Sequence, residues 1–272
     1  MTNPLQKYFR QPKVYIQLPS KGVFYEPGSL QGDWNNVPVF AMTGMDEIIM
    51  KTPDALFTGD ATAKVIESCC PYIKNAKTMP SIDIDALLIA IRIATFGPTM
   101  GVSQTCPKCG TENDYDIELG TMLDYFNNLK FVSTVKVSDE ISIRVRPLQY
   151  EEMSYFSIEN FKLQKTLLQV TELSDDEKQK QVDQIYNNLS ELQLQLFLTS
   201  IESVQVESFT VTEKAHIEEW LRNTERDVYK QIKSKLEENK EMWNIQPQPV
   251  KCGNCGSENK IVITLDQSNF FA

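Results

Sequence analysis

The chain has 272 residues, of which 41% are hydrophobic and 24% charged, and this ordinary globular composition excludes disorder as the default. Its formal net charge is -10, from 27 basic and 37 acidic residues. This balance argues against binding nucleic acid or anionic membrane surfaces, because both depend on Lys and Arg. The longest apolar run, residues 84–96, contains Asp85 and Arg92 and is shorter than the about 20 apolar residues that cross a bilayer.

The first residues do not show the charged lead and apolar core of a secretory signal, so we expect a cytoplasmic protein. Short strands are predicted at residues 14–18 and 37–42, and a helix capped by Thr43 or Gly44 should run through Met50. Apolar spacing then predicts a helix over residues 60–69 that ends at the adjacent Cys69 and Cys70, which we interpret as a buried helix end.

The strongest core helix is predicted over residues 81–96, with Ser81 as its cap and Gly97-Pro98 as its stop. Carboxylates lie near the starts of this helix and of the one after Thr43, where helix capping explains them without catalysis. They are Asp46, Glu47, Asp83 and Asp85.

Alternating residues at 131–137 and 141–145 predict a β-hairpin with a loop of about three residues. From residue 149 to 244 the pattern predicts an almost wholly helical region. One helix should begin at a capping box of Ser174 and Glu177, and another at Thr210 and Glu213. The second is a long amphipathic helix that ends in Met242 and Trp243, residue types that are enriched at interfaces.

Two cysteine units share one string, Cys-x-x-Cys-Gly-(Thr/Ser)-Glu-Asn, each followed by a short alternating segment. We call these units the knuckles: the first contains Cys106 and Cys109, and the second contains Cys252 and Cys255. Two residues between the thiolates allow both sulfurs to reach one ion at about 2.3 Å. The glycine after each second cysteine relieves the cost of a positive φ.

Each pair supplies half of a tetrahedron, so together they predict one structural Zn²⁺ held by four sulfurs. Residues 110–251 lie between the pairs, far more than the roughly 15–20 residues of a compact four-cysteine module. The second knuckle must therefore fold back onto the first. An iron–sulfur centre and two independent redox Cys-x-x-Cys motifs are the alternatives.

The resulting fold class is α+β, with small strands, a split zinc ribbon and a largely helical C-terminal half. The predicted parts are residues 1–98, with strands, turns and core helices, the discontinuous ribbon of 99–120 plus 248–268, and residues 121–247, with the hairpin and the helical region. His216 is the single histidine and is interpreted as a solvated helix residue. No glycine-rich phosphate loop, nucleophile elbow or His-Glu-x-x-His helix is present, so we expect no enzyme.

An ordered set of motifs between about Leu18 and Leu119 resembles the baseplate hub proteins of T4-like contractile-tailed bacteriophages. Before the first knuckle, with its Cys-Pro-x-Cys-Gly, the set comprises Leu18-Pro19-Ser20-Lys21-Gly22, Phe40-Ala41-Met42-Thr43-Gly44-Met45-Asp46-Glu47, Pro53-Asp54-Ala55-Leu56 and Ala90-Ile91-Arg92-Ile93-Ala94-Thr95-Phe96-Gly97. Members of that family are hub subunits or factors that help the hub to assemble.

The resemblance implies a non-catalytic virion protein that contacts other tail and baseplate proteins, in the host cytoplasm or in the tail baseplate. The alternative hypothesis is a zinc-ribbon regulator that binds nucleic acid, which the charge of -10 disfavours. A zinc-stabilised enzyme with a carboxylate pair is a third.

Overall fold

A computed structural model describes residues 3–52, 59–169, 175–265 and 270–271. The predicted Pro53-Asp54-Ala55-Leu56 motif lies outside these residues. So does Ser174, the first residue of a predicted capping box. The chain divides into a first unit, Met1–Lys130 with Trp243–Ala272, and a second unit, Phe131–Met242, inserted into the sequence of the first. Helices and small antiparallel sheets confirm the predicted α+β class.

The first unit contains a 3-10 helix at Pro4–Tyr8, β1 (Pro12–Ile16), β2 (Val37–Phe40), α1 (Gly44–Met50), α2 (Asp60–Cys69), a 3-10 turn at Ser81–Asp83, α3 (Ile84–Phe96), β3 (Thr99–Thr105), β4 (Glu112–Glu118) and α4 (Gly120–Asn128). β1 pairs with β2 and β3 with β4, both antiparallel. The core lies around α3, where Leu87, Ile89 and Ile91 are fully buried. This agrees with the apolar run from which a core helix was predicted.

Of three predicted helix signals, two are confirmed and one is wrong. The side chain of Thr43 accepts a hydrogen bond from the Asp46 amide, and the Asp46 carboxylate accepts one from the Thr43 amide, which confirms the cap of α1. Ser81 as the cap of the core helix is wrong, because Ser81 opens the 3-10 turn and α3 begins only after Asp83. Gly97, at φ 102°, ends α3 as predicted.

Helix capping does not account for Asp83, whose carboxylate makes no cap bond to α3. This buried carboxylate instead accepts hydrogen bonds from the Ser20 amide at 2.7 Å, the Ser20 hydroxyl at 2.6 Å and the Tyr25 hydroxyl at 2.9 Å. Burial raises the pKa of Asp83 to about 6, against the lowering effect of these hydrogen bonds. Asp83 therefore ties the loop at residues 18–25 to the start of the core helix.

The second unit is built on a four-stranded antiparallel sheet in the order β5-β6-β7-β8. Its elements are β5 (Thr134–Lys136), β6 (Ile141–Val145), α5 (Tyr150–Gln169), α6 (Asp175–Ser200), β7 (Ile201–Val206), β8 (Phe209–Val211), α7 (Lys214–Asn223) and α8 (Arg226–Met242). The predicted hairpin is present as β5 and β6. Its Ile143 packs in one buried cluster with Leu198 of α6, Ile217 of α7 and Ile232 of α8.

The stretch from 149 to 244 is largely helical, as the predicted fold class has it, but the expectation that it is almost wholly helical is wrong. β7 follows α6 directly and pairs with β6, with Ile143 opposite Val204. Thr210 lies in β8 rather than in a capping box, and the single long helix is two, α7 and α8, separated at residues 224–225. A strand that is stabilised by a partner distant in sequence cannot be recognised from local periodicity.

Trp243 does not form the exposed end of an interface helix. Its side chain is buried in the first unit and stacks on Phe126 of α4, with ring centroids 6.5 Å apart. After it come β9 (Gln248–Lys251) and β10 (Glu258–Ile261), which form a second antiparallel hairpin. Within the described part of the chain, no helix has both the length and the apolar character needed to cross a bilayer.

Candidate metal centre

Each knuckle is the turn of a two-stranded hairpin, the first between β3 and β4 and the second between β9 and β10. The two turns share the same backbone hydrogen bonds. These are Cys106 N–H to Thr111 O at 2.8 Å and Gly110 N–H to Cys106 O at 2.9 Å, matched by Cys252 N–H to Ser257 O and Gly256 N–H to Cys252 O, both at 3.0 Å. The repeated sequence therefore folds into a repeated turn.

The glycine in each turn has the conformation expected from the sequence. Gly110 has φ 72° and Gly256 has φ 69°, in the left-handed region that costs other residues free energy. This backbone directs both sulfurs of each knuckle towards the same side.

The structure brings the four predicted cysteines together. All four Sγ atoms lie within 4.8 Å of one another. Across the knuckles, the Sγ atoms of Cys106 and Cys255 are 3.8 Å apart and those of Cys109 and Cys252 are 3.6 Å apart. These separations far exceed the about 2.05 Å of a disulfide bond. They match the edge of about 3.8 Å that a tetrahedron of sulfurs has around an ion with Zn–S bonds of about 2.3 Å.

The geometry fits a metal ion with four thiolate ligands. Cys106 and Cys252 are buried, whereas Cys109 and Cys255 are exposed, so the site lies at the surface of the first unit. Four sulfurs complete a tetrahedron, and this leaves no position for a substrate or a water. Such an arrangement can crosslink the chain but offers no open position for catalysis at the ion.

Polar neighbours favour the thiolate form that a metal requires. The hydroxyl of Ser257 lies 3.4 Å from the Sγ of Cys106. Its hydrogen bond, with others from the amides of Cys109 and Lys108, lowers the pKa of Cys106 to about 5, although burial acts in the opposite direction. Hydrogen bonding with the side chain and the backbone of Thr111 lowers the pKa of Cys109.

The pKa of Cys255 shifts in the opposite direction. Hydrogen bonds from the amide and hydroxyl of Ser257 lower the pKa of Cys255, but its interactions with Cys109 and Cys252, together with burial, outweigh them and raise it. Hydrogen bonding of the Cys255 thiol to the sulfurs of Cys109 and Cys252 favours its protonated form, and a bound cation would displace that proton.

Two residues of the site were not singled out from the sequence. The Nδ2 of Asn113 lies 3.5 Å from the Sγ of Cys252, and the Nδ2 of Asn259 lies 3.6 Å from the Sγ of Cys106. The signal was present, because both copies of the repeated string end in asparagine.

The remaining candidates lie apart from the cluster. Cys69 and Cys70 are buried at the end of α2, as predicted, and burial raises the pKa of Cys69 to about 11. His216 is exposed on α7, in agreement with its interpretation as a solvated residue. Over the described ranges, the four knuckle cysteines are the one group of three or more metal-ligating residues brought within reach of a common ion.

Comparison with known proteins gives one match. The model of a protein family described as T4 bacteriophage base plate protein matches residues 41–272. No curated protein and no solved structure matches the chain. The matched region leaves out the motif at residues 18–22, but it extends past residue 119 and includes the whole second unit and both knuckles.

Proposed function

We propose a function from the family to which the chain belongs, the T4 bacteriophage base plate protein family. The chain acts as a component of the baseplate hub or as a chaperone of hub assembly. One structural zinc ion stabilises it. The family match over residues 41–272 is the observation that carries this proposal. Membership implies contacts with other phage structural proteins and a place in the virion tail. A structural family of this kind also suggests a role without catalysis.

The four-sulfur geometry supports the zinc ion. Cys106 and Cys109 would provide two ligands and Cys252 and Cys255 the other two. Zinc bound there would supply a crosslink between the middle of the chain and its C-terminal hairpin. Both knuckles belong to the first unit, so the crosslink would join the two sequence segments that make up that unit.

Charge supports partners with basic surfaces. One face of β4 exposes four carboxylates at two-residue spacing: Glu112, Asp114, Asp116 and Glu118. The residues opposite them on β3 are all small: Thr99, Gly101, Ser103 and Thr105. This acidic face lies on the first hairpin of the ribbon. It therefore also weakens the nucleic-acid hypothesis, because phosphates would be repelled from the hairpin.

Fractionation of infected cells tests the role. An antibody against the protein should detect it in purified finished tails if it is a hub component. It should detect the protein in baseplate precursors but not in finished tails if it is an assembly chaperone. Absence from both fractions, with the protein expressed, would refute the proposal.

The metal has a separate test. Mass spectrometry of the purified native protein should give one zinc per chain. Two zinc ions per chain would mean that the knuckles bind independently, which contradicts a shared site. Iron together with visible absorption would show that the site holds an iron–sulfur centre and not zinc.

A further inference from the structure

Asn113 and Asn259 occupy equivalent positions, each as the second residue of the strand that leaves its knuckle, β4 or β10. Each carboxamide reaches the opposite knuckle. There it contacts the first of the two cysteines, which is the buried one. The two contacts are thus equivalent in the two copies of the repeated turn. A feature that occurs in both copies has a common role in the site.

Each carboxamide is also held by its own turn. Asn113 donates from Nδ2 to the Thr111 carbonyl at 2.9 Å, and Asn259 donates to the Ser257 carbonyl at 3.4 Å. Since the side chains are anchored on their own hairpins, the N–H groups have a defined direction towards the sulfur opposite. Hydrogen bonds to a metal-bound thiolate orient the ligand and spread its negative charge.

The two sides differ at the carboxamide oxygen. The Oδ1 of Asn113 accepts a hydrogen bond from the Gly253 amide at 2.9 Å, which also fixes the orientation of this carboxamide. The residue equivalent to Gly253 in the first knuckle is Pro107, which has no N–H to donate. Asn259 therefore lacks the corresponding bond, and Asn113 is the stronger link.

We propose that Asn113 and Asn259 are positioning residues that couple the two knuckles. Each asparagine holds the buried cysteine of the opposite knuckle at a metal-ligand position. This inference rests on the proposed zinc site. The two hairpins, which are distant in sequence, are then held together by these two side chains as well as by the ion.

Zinc affinity, measured by competition with a chromophoric chelator, tests the inference. Asn113→Ala and Asn259→Ala should each weaken zinc binding by about 10–100-fold, the usual effect of losing a residue that orients a metal ligand, with the larger loss at Asn113. The matched control is Asn128→Ala. Asn128 is exposed on α4 in the same unit and donates to the Asp124 carbonyl, and its loss should leave the affinity unchanged.

A conservative variant separates orientation of the sulfur from packing. Asn113→Asp keeps the shape and the oxygen that accepts from Gly253, but it replaces the donor beside Cys252 with a second oxygen. The affinity should fall at least as far as in Asn113→Ala, and the thiolate-to-cobalt charge-transfer band of the Co²⁺ form should shift. A role in packing alone would leave Asn113→Asp similar to the wild type in both measurements.

The outcomes are distinguishable. Wild-type affinity in Asn113→Ala and Asn259→Ala would overturn the inference while leaving the zinc site intact. A wild-type protein without zinc affinity would reject the proposed metal site, and the inference with it. If Asn113→Ala loses its helical circular dichroism, Asn259→Ala decides, because it leaves the hydrogen bond between Asn113 and Gly253 in place.

Discussion

Replacing Cys252 with Ser should destabilise the first unit by an amount that follows from the path of the chain. The ion would tie residues 106–109 to residues 252–255, and the whole second unit lies between them. In the chain-entropy model a closed loop of about 140 residues contributes about 5 kcal/mol. This figure applies if both units unfold together.

The second unit can remain folded while the first unfolds, because its two ends are joined. Near those ends, Asn239 accepts from the Val132 amide at 3.2 Å and donates to the Val132 carbonyl at 2.8 Å. The flexible part of the loop is then the two segments 110–130 and 243–251, about 30 residues, for which the same model gives about 3.6 kcal/mol. We therefore expect Cys252→Ser to lower the unfolding free energy of the first unit by about 3.6–5 kcal/mol.

Urea unfolding followed by tryptophan fluorescence measures this loss. The chain has 3 tryptophans, and in a Trp220→Phe background the other two, Trp34 and Trp243, both report on the first unit. A chelator should destabilise the protein with four cysteines by a similar amount and should not destabilise Cys252→Ser further. Equal unfolding free energies for the zinc-loaded protein and Cys252→Ser would refute the crosslink, as would an equal response of both to the chelator.

Three further predictions concern residues away from the ion. Cys69→Ser should leave the zinc content of the purified protein unchanged by mass spectrometry, because Cys69 lies outside the four-sulfur cluster; a loss of zinc would contradict the ligand assignment. Since the pKa of Asp83 is raised from 3.8 to about 6, folding favours its protonated form. The free energy of unfolding should therefore fall by about 3 kcal/mol, relative to Asp83→Asn, as the pH rises from below 4 to above 6 in urea titrations. A flat difference between the two proteins would disprove this linkage. Gly32→Ala would place a methyl group 2.5 Å from the Tyr72 ring, whereas Gly28 has a similarly positive φ with nothing within 4 Å. Thermal unfolding should show Gly32→Ala to be less stable than Gly28→Ala by about 1–3 kcal/mol, and equal stabilities would exclude a clash at position 32.

Several features of this protein were predictable because they depend on residues close together in sequence. The helix predicted over residues 60–69 is α2 with the same bounds, and α3 ends at Gly97. Caps, stops and apolar periodicity act within one or two helical turns, so their signals are local. The convergence of the knuckles was predictable for a different reason: a repeated string of ligand residues indicates one site, whatever lies between the copies.

The tertiary structure decided what depends on distant partners. Asp83 binds Ser20 across a separation of 63 residues, and no local pattern distinguishes such a carboxylate from a helix cap. β7 is a strand because β6 lies beside it, and Trp243 is buried because Phe126 offers a ring against which it stacks. The crossed contacts of Asn113 and Asn259 likewise exist only when both hairpins are in place. The repeated string indicates which residues can form the cluster, whereas the free energy of contacts between distant segments sets how those residues are held.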